Sequence, residues 1–153
     1  MFVLVVGAGR VGSAVATTAL RAGHTVSVLD EDPLSHERLD VELGEAWETA
    51  GGRFTIGTAL EQDALEEAGI AEADVFIAST NGDNTNLVVS QLAQLRYEVP
   101  KVIARILDPR RAAWYAEQGL HTVCPTAIAI DQLEKAAMGG AQAAVGRSGE
   151  QGA

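Results

Sequence analysis

One cysteine in 153 residues rules out an internal disulfide and suits a reducing compartment. That residue, Cys124, sits in an apolar run before Pro125 with no histidine–acid pair near it in sequence. It reads as a small buried hydrophobe rather than a nucleophile. Aromatics are also scarce, at 5% against 47% hydrophobic overall, so the core must be built from Val, Leu, Ile and Ala. Basic residues number 11 against 21 acids, a formal charge of −10. Such a surface disfavours nucleic acid and unaided adhesion to an anionic membrane. No apolar run approaches the roughly 18 residues a membrane-crossing helix needs. The run Phe2–Val6 is too short, and lacks the basic flank, for a signal peptide.

What the chain does have begins at once. Phe2–Val6 leads into Gly7-Ala8-Gly9-Arg10-Val11-Gly12, which opens a stretch of small residues with helical character. A second apolar run, Val26–Leu29, ends in Asp30, about 20 residues on. Strand, glycine turn, helix, strand and acid in that order form a dinucleotide-binding fingerprint. Gly7 permits the tight turn, Gly9 leaves room for a pyrophosphate, and Gly12 lets helix pack on strand. Free N–H groups and the helix dipole face the phosphates, and Asp30 can accept from ribose hydroxyls. The acids Asp30, Glu31 and Asp32 occupy the place of a 2′-phosphate, which disfavours NADP and leaves NAD(H), ATP or ADP. Glu31 and Asp32 read more readily as a solvated helix start than as ribose contacts.

Apolar runs and helical patterns alternate almost throughout. Strands are predicted at about 2–6, 25–29, 53–57, 73–78, 101–106 and 121–124, and helices at about 11–22, 33–46, 60–68, 84–96, 109–118 and 126–137. Continuous apolar strands such as Val75-Phe76-Ile77-Ala78 suit a sheet covered on both faces. The pattern predicts an α/β, Rossmann-like, doubly wound parallel six-stranded sheet of order 3-2-1-4-5-6, with ligand at the carboxyl edge near strands one and four. Gly23 and Gly119 read as helix C-caps. Asp32-Pro33 and Asp108-Pro109 read as N-cap followed by first helical residue. Residues 138–153 are glycine-rich and aperiodic and are expected to be flexible.

A second constellation, Ser79-Thr80-Asn81-Gly82-Asp83-Asn84-Thr85-Asn86, follows strand four and should face the nucleotide across the switch point. Ser79, Thr80, Asn81 and Asn84 offer neutral donors and acceptors, while Asp83 or Asn84 caps the next helix. Thr58 and Ala59, after strand three, can line the adenine side. Arg105, late in strand five, needs a carboxylate, a phosphate or a contact across a dimer. Arg10 can reach phosphates, project toward a second subunit or sit in solvent.

These segments, with Asp30-Glu31-Asp32-Pro33, Ala104-Arg105-Ile106-Leu107-Asp108-Pro109 and Gly119 through Pro125-Thr126, together resemble the RCK N-terminal domain, also called the TrkA N-domain, over about residues 1–137. The resemblance implies a cytoplasmic regulatory subunit, peripheral to the inner face of the plasma membrane. It implies a homodimer or higher ring beneath a membrane-embedded potassium-translocating subunit, with bound NAD(H), ATP or ADP setting the ring's shape. Carried over, the turn through Gly12 holds phosphates, Asp30 the ribose, and Arg10 senses a terminal phosphate. The helix after Pro125 is the crossover helix of the dimer. Two positions depart from the pattern. Many members carry Gly-Asp-Ala where this chain has Gly57-Thr58-Ala59. Some carry an acid, used for cations between subunits, where Thr126 stands, so no metal site is expected. Many relatives continue into a second ligand-binding domain.

The rival reading is a small NAD-dependent oxidoreductase. It needs a proton donor near the nicotinamide. His24 and His121 precede strands, at the amino edge, and His36 lies early in helix two, where a surface role fits. Tyr115 has no lysine four residues on; Tyr97 has Lys101, but that lysine opens strand five, at the amino edge away from the ligand. A non-catalytic module is therefore expected.

Overall fold

The structure, a computed structural model, describes residues 1–139. Its elements alternate along the chain: β1 (Phe2–Val6), α1 (Arg10–Arg21), β2 (Thr25–Asp30), α2 (Ser35–Leu43), β3 (Arg53–Ile56), α3 (Gln62–Glu67), β4 (Val75–Ala78), α4 (Asp83–Leu95), β5 (Lys101–Arg105), α5 (Pro109–Glu117), β6 (His121–Val123) and α6 (Pro125–Glu134). A 3-10 turn, Ile70–Glu72, precedes β4, and a wider π-type turn, Lys135–Gly139, follows α6.

All six strands are parallel, in the expected order β3-β2-β1-β4-β5-β6. Val6 pairs with Leu29 on one side and Ala78 on the other, so β1, β2 and β4 end level at the switch point. Successive residues of β1 serve opposite faces. Leu4 and Val6 join Leu29, Phe76, Leu65, Leu87 and Val89 in one core layer. Val3 and Val5 join Val26, Val28, Ala16, Leu39 and Trp47 in the other. The uninterrupted apolar run of β1 is explained by burial on both sides.

Trp47 completes the second layer from outside any regular element. α2 is shorter than the expected 33–46 because it stops at Gly44, whose φ is +85°. The chain then crosses to β3 with Trp47 fully buried, its indole N–H donating to the Arg53 carbonyl at 3.0 Å. A Cβ on Gly52 would collide with that ring. An anchored aromatic plug thus occupies what reads in sequence as a loop.

Helix starts differ in instructive ways. Asp108 caps α5 as expected, accepting from Arg110 N at 2.9 Å and Arg111 N at 3.3 Å, with Pro109 opening the helix. Asp32 does not cap α2. Its Oδ1 accepts from Leu34 N at 2.9 Å and its carbonyl from Ser35 N at 3.0 Å, which places Pro33 in a turn ahead of the helix. Cys124 packs against the first core layer without being fully buried. It is half-buried, and its sulfur caps α6 by accepting from Ala127 N at 3.4 Å. No residue of α6 is buried. The expected flexible segment 138–153 lies outside the described residues from position 140 onward.

Candidate functional site

At the carboxyl edge of β1, β2, β3 and β4 lies an open cavity of about 500 Å³. Its floor is the glycine turn. Gly7 has φ +95°, and a Cβ there would lie 2.8 Å from the Ser79 and Thr80 backbone. Gly12 is packed closer still. A Cβ there would collide with the Gly7 carbonyl and lie 2.7 Å from Ser79 Oγ, which itself donates to Gly7 O at 3.0 Å. Gly9 is the opposite case, with nothing within 4 Å of where its Cβ would be. The turn is thus closed on the protein side and open on the cavity side. No side chain caps the start of α1 behind Gly9, so its N-terminal donors remain for an anion.

Ala8 is held from both directions. Its N–H donates to Asp30 Oδ2 at 2.7 Å and its carbonyl accepts from Arg38 Nη1 at 2.8 Å. Asp30 Oδ1 accepts in turn from Asp32 N at 2.9 Å. The acid at the end of β2 therefore fixes the glycine turn while also lining the cavity.

The opposite wall is set by Asn86, a residue the sequence reading quoted only as part of a motif. Buried at 1% exposure, its Oδ1 accepts from Thr80 N at 3.0 Å and Thr80 Oγ1 at 2.7 Å. Its Nδ2 donates to Thr80 O at 3.0 Å and Arg105 O at 2.8 Å. A single amide thereby satisfies the loop after β4 and pins it to β5. Asp83 does not cap α4, whose N-cap is Gly82. The Asp83 carboxylate reaches across to the next loop, accepting from Leu107 N at 2.7 Å and Asp108 N at 3.0 Å.

Of the expected contact residues, Gly7, Gly9, Asp30, Glu31, Thr58, Ala59, Ser79, Thr80 and Asn81 line the cavity. Ala8, Arg10, Val11, Gly12, Asn84 and Arg105 do not. Ala8 is buried behind the turn, Arg10 and Val11 are exposed, and Asn84 accepts from Arg111 Nη2 at 2.6 Å. Arg105 is half-buried with an unpartnered Nε, and among the described residues no carboxylate pairs with it.

Ser35 and Arg38, which belong to none of the sequence motifs, also line the cavity, from α2. Their spacing of three on a helix, just after the β2 acids, is a signal that could have found them. Among the described residues, no histidine, cysteine or tyrosine lines the cavity. The walls offer hydrogen-bond donors and acceptors, the Arg38 guanidinium on one element and the carboxyls of Asp30, Glu31 and Asp32 on another, a polar lining with both charges.

The TrkA-N domain family model matches residues 3–126. The chain is 42% identical over 133 residues to the Trk system potassium uptake protein TrkA of Streptomyces coelicolor, spanning 87% of this chain and 56% of that protein. It is 35% identical over 136 residues to the TrkA homolog of Methanothermobacter thermautotrophicus, spanning 88% and 59%. Among solved structures, the AMP-bound form of the Shewanella denitrificans Kef CTD superposes with a TM-score of 0.73 at 25% identity, covering 90% of this chain and 80% of that one. The chain thus spans somewhat more than half the length of these curated relatives.

Proposed function

This chain belongs to the TrkA-N domain family, and on that premise we propose that it is the nucleotide-binding regulatory module of a potassium uptake system. The observation that carries this reading is the cavity at the switch point, with its glycine turn closed toward the protein and open above Gly9. An adenine nucleotide, NAD(H) or ATP/ADP, fits that chemistry. Its phosphates lie against the start of α1 and its ribose beside Asp30. The AMP-bound structural relative supports an adenylate here. Asp30, Glu31 and Asp32 all line the cavity, and this negative wall disfavours the 2′-phosphate of NADP.

Regulation requires no catalytic group. Control comes from unequal affinity of the ligands for two arrangements of the assembly, and about 1–3 kcal/mol of difference gives useful coupling. The assembly is a homodimer or larger ring, joined through α6. It sits at the cytoplasmic face of a membrane-embedded potassium-translocating subunit. Arg10, exposed at the start of α1 and outside the cavity lining, would meet a terminal phosphate or a neighbouring subunit.

The deciding experiment is calorimetric titration with ATP, ADP, AMP, NAD and NADH, with mass measured by light scattering before and after. Selective binding accompanied by a change of assembly supports the reading. Absence of binding to all five sinks it, and substrate-dependent oxidation of NADH would favour an oxidoreductase instead.

A further inference from the structure

On the side of α2 away from the nucleotide cavity, His36, Asp40 and Glu48 converge, and none of them lines that cavity. One imidazole nitrogen and one oxygen from each carboxylate lie within 4.8 Å of one another. His36 Nε2 is 2.7 Å and 2.8 Å from the two Glu48 oxygens, and Nδ1 is 3.8 Å from Asp40 Oδ2. We propose that this trio is a binding site for a transition-metal dication of the Zn²⁺ class.

The donor chemistry selects the metal. One imidazole with two carboxylates is a nitrogen–oxygen set of the kind Zn²⁺ and its neighbours accept at about 2.0–2.2 Å, with water completing the shell. Hard cations such as Mg²⁺ prefer oxygen alone and retain their water. Glu48 approaches Nε2 and Asp40 approaches Nδ1, so one carboxylate must swing toward the nitrogen that takes the metal to bring all three ligands to the roughly 3–3.5 Å spacing of such a shell. The dication enters between His36 and Glu48, taking the lone pair of one ring nitrogen while the ring proton occupies the other. It also offsets two carboxylate charges in a chain whose formal charge is −10.

The ligands are held in place independently of any ion. His36 and Asp40 are one helical turn apart on α2. Asp40 Oδ1 is engaged by Trp47 N at 2.8 Å, which leaves Oδ2 for the site. Glu48 follows Trp47 directly, so the buried indole fixes the backbone that carries it. The His36 ring packs on Phe54 at 5.2 Å between centroids. Such preorganisation separates this trio from a casual surface ion pair, in which both partners must be ordered on contact. Glu48 comes from the segment between α2 and β3, so a bound metal would staple that segment to α2. The sequence alone hides the site, because Glu48 is not at helical spacing from His36.

The test is a titration of the whole chain with Co²⁺ followed by visible absorption, and with Zn²⁺ by calorimetry. The expected result is one saturating equivalent with a d–d band. His36→Gln and Glu48→Gln should each weaken binding at least tenfold. Asp40→Asn, which keeps the oxygen that accepts from Trp47 but replaces the one left for the site, should weaken it as well without disturbing the Trp47 contact. Glu48 is largely exposed, so Glu48→Gln should leave the circular dichroism unchanged and separate loss of the site from loss of the fold. A His24→Gln/His121→Gln double variant should bind as the parent does. The proposal is overturned by the absence of a one-equivalent transition, by binding that survives His36→Gln, or by a thiolate charge-transfer band that assigns the ion to Cys124.

Discussion

The Asp30 carboxylate lies 2.7 Å from the Ala8 backbone N–H, so the acid at the end of β2 is a brace for the glycine turn before it is a ligand contact. Asp30→Ala should therefore lower stability without nucleotide, by about 1–3 kcal/mol, because the N–H of fully buried Ala8 loses its acceptor. Asp30→Asn, which keeps an oxygen able to accept, should recover part of that loss. Urea denaturation of the ligand-free protein measures both. Equal stability of Asp30→Ala and the parent would show that the brace contributes nothing.

Two glycines of one turn should part company on substitution. Gly12→Ala forces a Cβ into the Gly7 carbonyl and should destabilise by about 1–3 kcal/mol or more. Gly9→Ala meets open space on the protein side and should leave the melting temperature nearly unchanged, while weakening adenine-nucleotide binding by crowding the phosphates. Thermal melts with and without ATP distinguish the cases.

Asn86 should be among the least replaceable polar residues. Asn86→Ala strands Thr80 N, Thr80 O and Arg105 O, and a cost of about 3 kcal/mol is expected, since each buried unpaired group costs about 1–3 kcal/mol. Asn86→Asp should be worse, as it sets a carboxylate against two carbonyls. If Asn86→Asp proves as stable as the parent in urea, the clamp does not govern this loop.

Trp47→Ala should cost about 3–5 kcal/mol through the cavity left in the second core layer, and Trp47→Phe less, with the Arg53 carbonyl then unpaired. Denaturant midpoints for the pair rank the two contributions.

Away from the cavity, Gln62 Nε2 and Tyr97 Oη donate to Glu66 Oε1 at 2.7 Å and 2.8 Å. Gln62 first and Tyr97 second hold the Glu66 carboxyl below its ordinary range, while burial and then the bond to Glu66 raise the Tyr97 hydroxyl. A depressed carboxyl stabilises the fold above its unfolded pKa and loses that contribution as pH falls through the folded value. Tyr97→Phe should move the Glu66 midpoint up in an NMR titration, and Gln62→Leu should move it further. No movement in either variant would mean that these bonds do not persist in solution.

The sheet was legible because β1, β2 and β4 are buried on both faces and announce themselves as continuous apolar runs, and because Gly7, Gly9 and Gly12 have separate steric tasks. Side-chain assignments at helix starts were less legible. Asp83 has the composition of an N-cap, yet a loop distant in sequence offers two N–H groups, and the carboxylate goes there. Asp32 likewise turns the chain ahead of α2. Local propensity identifies a residue that will accept from backbone, but only tertiary proximity decides whose backbone. Trp47 and Arg38 were missed for the same reason, because each acts on an element far along the chain.

The last helix has consequences of its own. α6 is ten residues long and buries none of them, and it displays Ile128, Ile130 and Leu133 at 55%, 48% and 69% exposure. An isolated helix shorter than about 12–15 residues is marginal in water. Its Pro125 start and Cys124 cap are modest supports, so its persistence depends on whatever apolar surface covers it. Dilution then becomes a structural variable: the body of the sheet would keep its signal while the terminal turns unwind, and the ratio of the two would read out how much of the protein is engaged at any moment.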